Sequence, residues 1–151
     1  TWTSPIRKYS DMVNHRLIKA VLTQQACEKP KDEVLARLQE ARRQNRLVER
    51  DIADWLYCRY LADKVAENAE FDAEVQDVMR GGLRVQLLEN GASMFVPAST
   101  LHPNKDEMQV NADELALYIQ GERRYKIGDL VKVKLIEVRE ETRSIVGQLI
   151  I

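Results

Sequence analysis

Two adjacent cations, Arg7 and Lys8, close the stretch Ser4-Pro5-Ile6-Arg7-Lys8, and Tyr9-Ser10-Asp11 follows directly. Ser before Pro signals a helix start, with Ser as the cap and Pro in the first turn. Ile6, Tyr9, Val13, Leu17 and Ala20 then recur at helical spacing, which predicts a helix from about Pro5 to Leu22 or Gln24. Positive charge in a first turn opposes the helix dipole. The same arrangement suits an anion, a phosphate above all, because backbone N–H groups and two cations converge on it. Asp11 lies one turn beyond Arg7 and can hold its guanidinium, with Asn14 on the same stripe. A surface helix start with an Arg–Asp pair explains the same residues without a ligand.

Arg42, Arg46, Glu49 and Arg50 form a second group, at helical spacings of three and four. They make either a solvated face tied by side-chain pairs or the lining of a phosphate-binding channel, with Glu49 orienting an arginine or bordering a catalytic pocket. Other chemistries find no support in the sequence. A two-metal nuclease needs clustered carboxylates, and here acidic residues are dispersed, with Asp113-Glu114 and Glu140-Glu141 in predicted loops. There is no Ser-His-Asp order, no useful Cys-His pairing and no glycine-rich phosphate loop. His102, beside Pro103, reads as a loop residue.

Two kinds of periodicity must position these groups. Pro30-Lys31-Asp32 restarts the chain, with Asp32 as cap and Glu33 in the first turn, and predicts a helix from about Asp32 to Val65. Its stripe of Val34, Leu38, Ala41, Val48, Ile52 and Leu61 is interrupted by Arg42–Arg46, so a bend near Arg43 is expected. Two helices with Trp55, Tyr57 and Tyr60 cannot bury their apolar faces alone, which suggests a piece cut from a larger domain. From residue 68 the pattern alternates: Phe71, Ala73, Val75; Leu83, Val85, Leu87; Met94-Phe95-Val96; Val131, Val133, Leu135; then residues 143–149. Gly81-Gly82 marks a bend and Asn90-Gly91 a hairpin. Five strands with a short helix near Ala98–Leu101 give an OB-type barrel. Leu115–Ile119 and Arg123–Ile127 flank Gln120-Gly121 as an extra hairpin. The fold class expected is α+β: a helical segment, residues 1–67, then a five-stranded antiparallel barrel, residues 68–151.

With 44% hydrophobic and 31% charged residues, the chain reads as a soluble globular protein without a membrane span. A net charge of −1 does not announce a nucleic-acid binder. The halves differ, with thirteen Lys/Arg against ten Asp/Glu in residues 1–67 and ten against fourteen thereafter. Cys27 and Cys58 lack metal-ligand spacing and fit free thiols in a reducing cytoplasm. An opening on Thr1-Trp2, directly into a motif, suggests a fragment of a longer polypeptide.

Thr3-Ser4-Pro5-Ile6-Arg7-Lys8-Tyr9, with Asp11 and His15-Arg16, closely resembles the C-terminal motif of the ribonuclease II (RNB) family of exoribonucleases. The resemblance implies metal-dependent, processive 3′-to-5′ hydrolysis of single-stranded RNA to nucleoside 5′-monophosphates, with Mg2+ as cofactor. It implies that Arg7 contacts RNA phosphate at the cleavage point and that the metal-binding aspartates lie upstream of this chain. Asn45–Asp51 looks like the corresponding family helix, where a glutamate lies near the RNA end, which carries a catalytic role onto Glu49. Lys8, Tyr9, Arg42 and Arg46 are the expected RNA contacts of this half. The second half is similar to S1-type OB domains from roughly Phe71 to Leu149. It departs from them where aromatics usually flank the glycine bend, at Gly81 and Arg84, and where Pro97 replaces a histidine. Of Phe71 and Phe95, at least one is expected in the core. Arg84, Lys132, Lys134 and Arg143 are therefore expected to guide the RNA backbone rather than read bases. The expected partners are single-stranded RNA and the upstream part of the same polypeptide, in a monomeric, cytoplasmic enzyme. The chain alone is expected to be inactive and to bind no metal. A non-catalytic RNA-binding adaptor explains the barrel equally well but not the Ser4–Arg7 stretch. A protein-interaction domain is the third alternative.

Overall fold

In the computed structural model, which describes residues 2–150, Ser4-Pro5 opens a turn rather than a helix. Pro5 takes the second position of that turn, and the Ser4 carbonyl accepts from Arg7 N–H at 3.2 Å and Lys8 N–H at 2.9 Å. Helix α1 (Tyr9–Leu22) begins only then, with the Lys8 backbone as its cap. The start expected at Pro5 with a Ser4 cap is thus corrected: the Ser4 peptide is used up in closing the turn. Ile6 and Tyr9, expected on the apolar face, are exposed, whereas Ala20 is buried. Helix α1 ends with Gln24 in the left-handed region (φ 55°), and Gln25 N–H bonds back to the Ala20 carbonyl at 2.9 Å. This is the six-to-one closure that frees no terminal carbonyl unnecessarily.

Helix α2 (Asp32–Leu61) runs without interruption, followed by one 3-10 turn at Asp63–Val65. No break occurs near Arg43. Residues Arg42 to Arg46 have good or tolerable helix propensity, and Gln44 donates to Glu40 one turn back at 2.7 Å. An exposed polar stretch costs the helix nothing when no core lies beneath it.

The chain divides into two compact units, Thr1–Glu49 and Arg50–Ile151. The first holds α1 and most of α2. An apolar groove between α1 and the start of α2 is lined by Leu17, Ala20, Val21 and Leu35.

The second unit is built on β1 (Glu70–Met79), β2 (Gly82–Leu87), β3 (Ser93–Pro97), β7 (Leu130–Arg139) and β8 (Ser144–Leu149). They close into a barrel in the order β1-β2-β3-β8-β7. All pairings are antiparallel except β3 with β8, which meet in parallel at Phe95 and Val146. Register shifts at Val75/Asp77 in β1 and Leu135/Glu137 in β7 bend those two long strands so that the sheet closes on itself. Helix α3 (Ala98–Leu101) follows β3. Leu83, Val85, Leu87, Met94, Val96, Val133 and Leu135 fill the interior at two-residue spacing. Phe71, only 6% exposed, joins them. Phe95 does not; it lies half-buried on the outer face.

Two glycines are required by close approach. Gly82 has φ +142°, and a Cβ there would lie 2.0 Å from the Val96 carbonyl oxygen. A Cβ on Gly147 would meet Met94 Sδ at 2.2 Å.

The last turns of α2 belong to the barrel unit, because Cys58 and Leu61 are fully buried in its core cluster. Between α3 and β7 the expected hairpin gains a strand: β4 (Met108–Asn111), β5 (Ala116–Ile119) and β6 (Glu122–Lys126) form a separate antiparallel sheet. Gln120 and Gly121 both have positive φ, as a two-residue hairpin turn requires. Among the described residues, no helix is long and apolar enough to cross a membrane.

Candidate functional site

Arg7 sits at the end of the Ser4–Arg7 turn, exposed to solvent. Among the described residues its guanidinium has no carboxylate within ion-pair distance. Asp11 does not hold it; the Asp11 carboxylate instead accepts a hydrogen bond from the Ser4 N–H at 3.1 Å. Four residues on, His15 Nε2 donates to the Trp2 carbonyl at 2.8 Å. The segment ahead of α1 is therefore strapped to the helix at two peptides, and Arg7 is carried on the turn between strap and helix. Lys8 is exposed at the cap position and Tyr9 is 50% exposed in the first turn. An exposed arginine on a fixed turn, beside a helix N-terminus, can neutralise a phosphate.

Arg42, Arg46 and Glu49 all lie on the exposed surface of α2. Gln44, between them, is tied to Glu40 instead.

On the barrel, the expected cations fall into two groups. Arg143 is held by Asp51 of α2 at 3.2 Å, and Lys132 lies 4.0 Å from Asp72. Lys134 stands opposite Glu70 on β1, so here two acids of β1 face two lysines of β7. Arg84 is exposed and stands between Asp77 on β1 and Phe95 on β3, with no carboxylate within ion-pair distance among the described residues. The Phe95 ring reaches 3.7 Å from where a Cβ on Gly81 would stand, so the glycine leaves room beside it. An aromatic ring and an exposed guanidinium side by side form a platform for a base and its phosphate. Sequence patterning could not find Phe95, because alternation alone did not say which of the two phenylalanines faced inward.

Gln120 and Asn104 donate to the Glu107 carboxylate and pull its pKa below the usual range. A two-pronged hydrogen bond from Arg139 does the same to Glu137. His102 receives the Asn104 N–H at 3.2 Å and stays in its loop. Burial, helped by the charges of Asp54 and Glu140, pushes the Cys58 thiol up. Among the described residues, no three His, Cys, Asp or Glu side chains come together as a metal site. The carboxylates nearest to a role are already bonded, Asp11 to a peptide and Asp51 to Arg143. The donor set of the described residues does not fit a magnesium ion.

The family model for the S1 RNA binding domain matches residues 64–149, more than half of the chain. The chain belongs to the S1 RNA-binding family. The S1 match covers the whole barrel, and the RNB domain model matches residues 1–24, which hold the Arg7 turn and α1. The chain is 83% identical over 150 residues to an exoribonuclease 2 of Haemophilus influenzae (strain 86-028NP), covering 99% of this chain. It is 74% identical over 149 residues to the exoribonuclease 2 of Pasteurella multocida (strain Pm70). It spans 23% of the length of each of these relatives. The fold also matches RNase R of Mycoplasma genitalium in complex with ribose-methylated single-stranded RNA, with a TM-score of 0.76 and 23% identity. That match covers 99% of this chain and 24% of the other.

Proposed function

We propose that this chain acts as the C-terminal part of a longer 3′-to-5′ exoribonuclease that processively hydrolyses single-stranded RNA to nucleoside 5′-monophosphates. One observation carries this reading: 83% and 82% identity to two exoribonuclease 2 proteins over 99% of the chain. In it, residues 1–67 are the end of the RNB domain and residues 68–151 the S1 domain. Water attacks the last internucleotide phosphorus, the P–O3′ bond breaks, and the shortened RNA keeps a 3′-hydroxyl. Arg7 touches the non-bridging oxygens and offsets the charge that builds on them in the transition state. Glu49 borders that pocket, while Lys8, Tyr9, Arg42 and Arg46 line the RNA path. Magnesium is held by residues upstream of this chain. On the barrel, Arg84 and Phe95 take a base and its phosphate, with Lys132, Lys134 and Arg143 following the backbone. The enzyme works as a cytoplasmic monomer.

The chain by itself binds RNA without cutting it. Mixed with labelled single-stranded RNA and magnesium, it should bind more weakly as salt rises and release no mononucleotides. Arg84→Ala should lower the salt slope by about one, and Phe95→Ala should cost about 1–3 kcal/mol of binding without changing that slope. Release of mononucleotides by the chain alone, or salt-independent binding, would contradict this account.

A further inference from the structure

Asp11 is the one fully buried charged side chain among the described residues. Burying a carboxylate is costly unless it is hydrogen-bonded, and α1 offers little core to hide it in. Its position calls for a use. Asp11 and His15 stand one turn apart on α1 and so present side by side. Asp11 takes the N–H of Ser4 at 3.1 Å, and His15 gives its Nε2 proton to the carbonyl of Trp2 at 2.8 Å. The carbonyl of the same Ser4 accepts from Arg7 and Lys8, so that residue is fixed at both its polar groups. Neither side chain reaches outward towards a ligand through these contacts. Both act on backbone, and the backbone they hold leads directly into the turn that ends in Arg7.

We propose that Asp11 and His15 are positioning residues that fix the Arg7 turn, so that the guanidinium meets the RNA phosphate already oriented. This rests on the phosphate-contacting role of Arg7 given above. A charge that need not reorganise is worth most in the transition state, and a displacement of about 1 Å can cost about 100-fold in rate. Loss of either clamp therefore lowers turnover and leaves RNA binding, which draws on many contacts, nearly intact.

The test uses the full-length exoribonuclease, with Asp11→Ala, His15→Ala, Asp11→Asn and His15→Gln made alone, and each alanine variant also combined with Arg7→Ala. Asp11→Ala and His15→Ala should each lower kcat by about 10- to 100-fold while KM for RNA stays within about twofold. His15→Gln keeps a donor for Trp2 and Asp11→Asn an acceptor for Ser4, so both should recover most of the loss. In the Arg7→Ala background the alanine changes should cost less than about twofold, because the group they position is gone. Additive losses in that background, or no recovery with Asn and Gln, would overturn the proposal in favour of simple structural support. A full loss with Arg7→Ala beside unchanged kcat in both clamp variants would overturn it while leaving the Arg7 role standing. An unchanged kcat for Arg7→Ala would overturn both. His15 is exposed, so its variants carry the test even where Asp11→Ala does not fold.

Discussion

Tyr57 donates its hydroxyl proton to the carbonyl of Asn90 at 2.9 Å, fastening the end of helix α2 to the turn between β2 and β3. The same turn is closed from within, where Asn90 Oδ1 accepts from Ala92 N–H and Gly91 N–H bonds to the Leu87 carbonyl. Just beyond Tyr57, Cys58 and Leu61 enter the barrel core. The last turns of α2 are thus a fixed part of the barrel unit rather than a linker leading up to it.

Tyr57→Phe keeps the ring and removes only this bond, leaving the Asn90 carbonyl without its partner. It should lower stability by about 1 kcal/mol. Chemical denaturation of the isolated chain measures it, with the midpoint falling and the slope unchanged.

Gly82→Ala should be far more damaging. The new methyl would overlap the Val96 carbonyl at a backbone angle that side chains rarely adopt. We expect a loss of about 3 kcal/mol, read from the thermal midpoint. Gly121→Ala serves as the comparison, since nothing lies within 4 Å of a Cβ there and only its φ of +80° opposes the change.

The two thiols should behave oppositely. Cys27 is exposed and Cys58 buried, with burial, Asp54 and Glu140 all disfavouring the Cys58 thiolate. Iodoacetamide should label the native chain once, at Cys27, and twice after denaturation. Mass spectrometry of the digested protein identifies the site. The raised thiol also sets a pH slope. Above the ordinary value of 9.0 the unfolded chain releases a proton that the folded chain retains, so stability falls as pH rises towards the folded value. Cys58→Ala should remove that slope.

Much of this was legible in the chain. The switch from helical to alternating period near residue 68, Asn90-Gly91 and Gln120-Gly121 located the barrel and its appended sheet, because turn chemistry and strand period are local properties. Strand β4 was not legible. Met108-Gln109-Val110-Asn111 alternates for only four residues, too short a run to stand out, and it is a strand because β5 pairs with it. The start of α1 was misplaced because Ser-Pro serves turns as well as helix caps, and only Asp11, seven residues away, decides between them. The clamp by His15 and the outward face of Phe95 depend on which surface a side chain meets, and spacing does not encode that.

Arg7 carries the transition-state chemistry proposed for this chain. Single-turnover and steady-state kinetics of Arg7→Ala in the full-length exoribonuclease, on an unstructured RNA with magnesium, test it most directly. A guanidinium that acts on the transition state predicts kcat lower by about 100-fold or more, with RNA affinity within about threefold of the unaltered enzyme. Equal losses in turnover and affinity, or unaltered turnover, would contradict it.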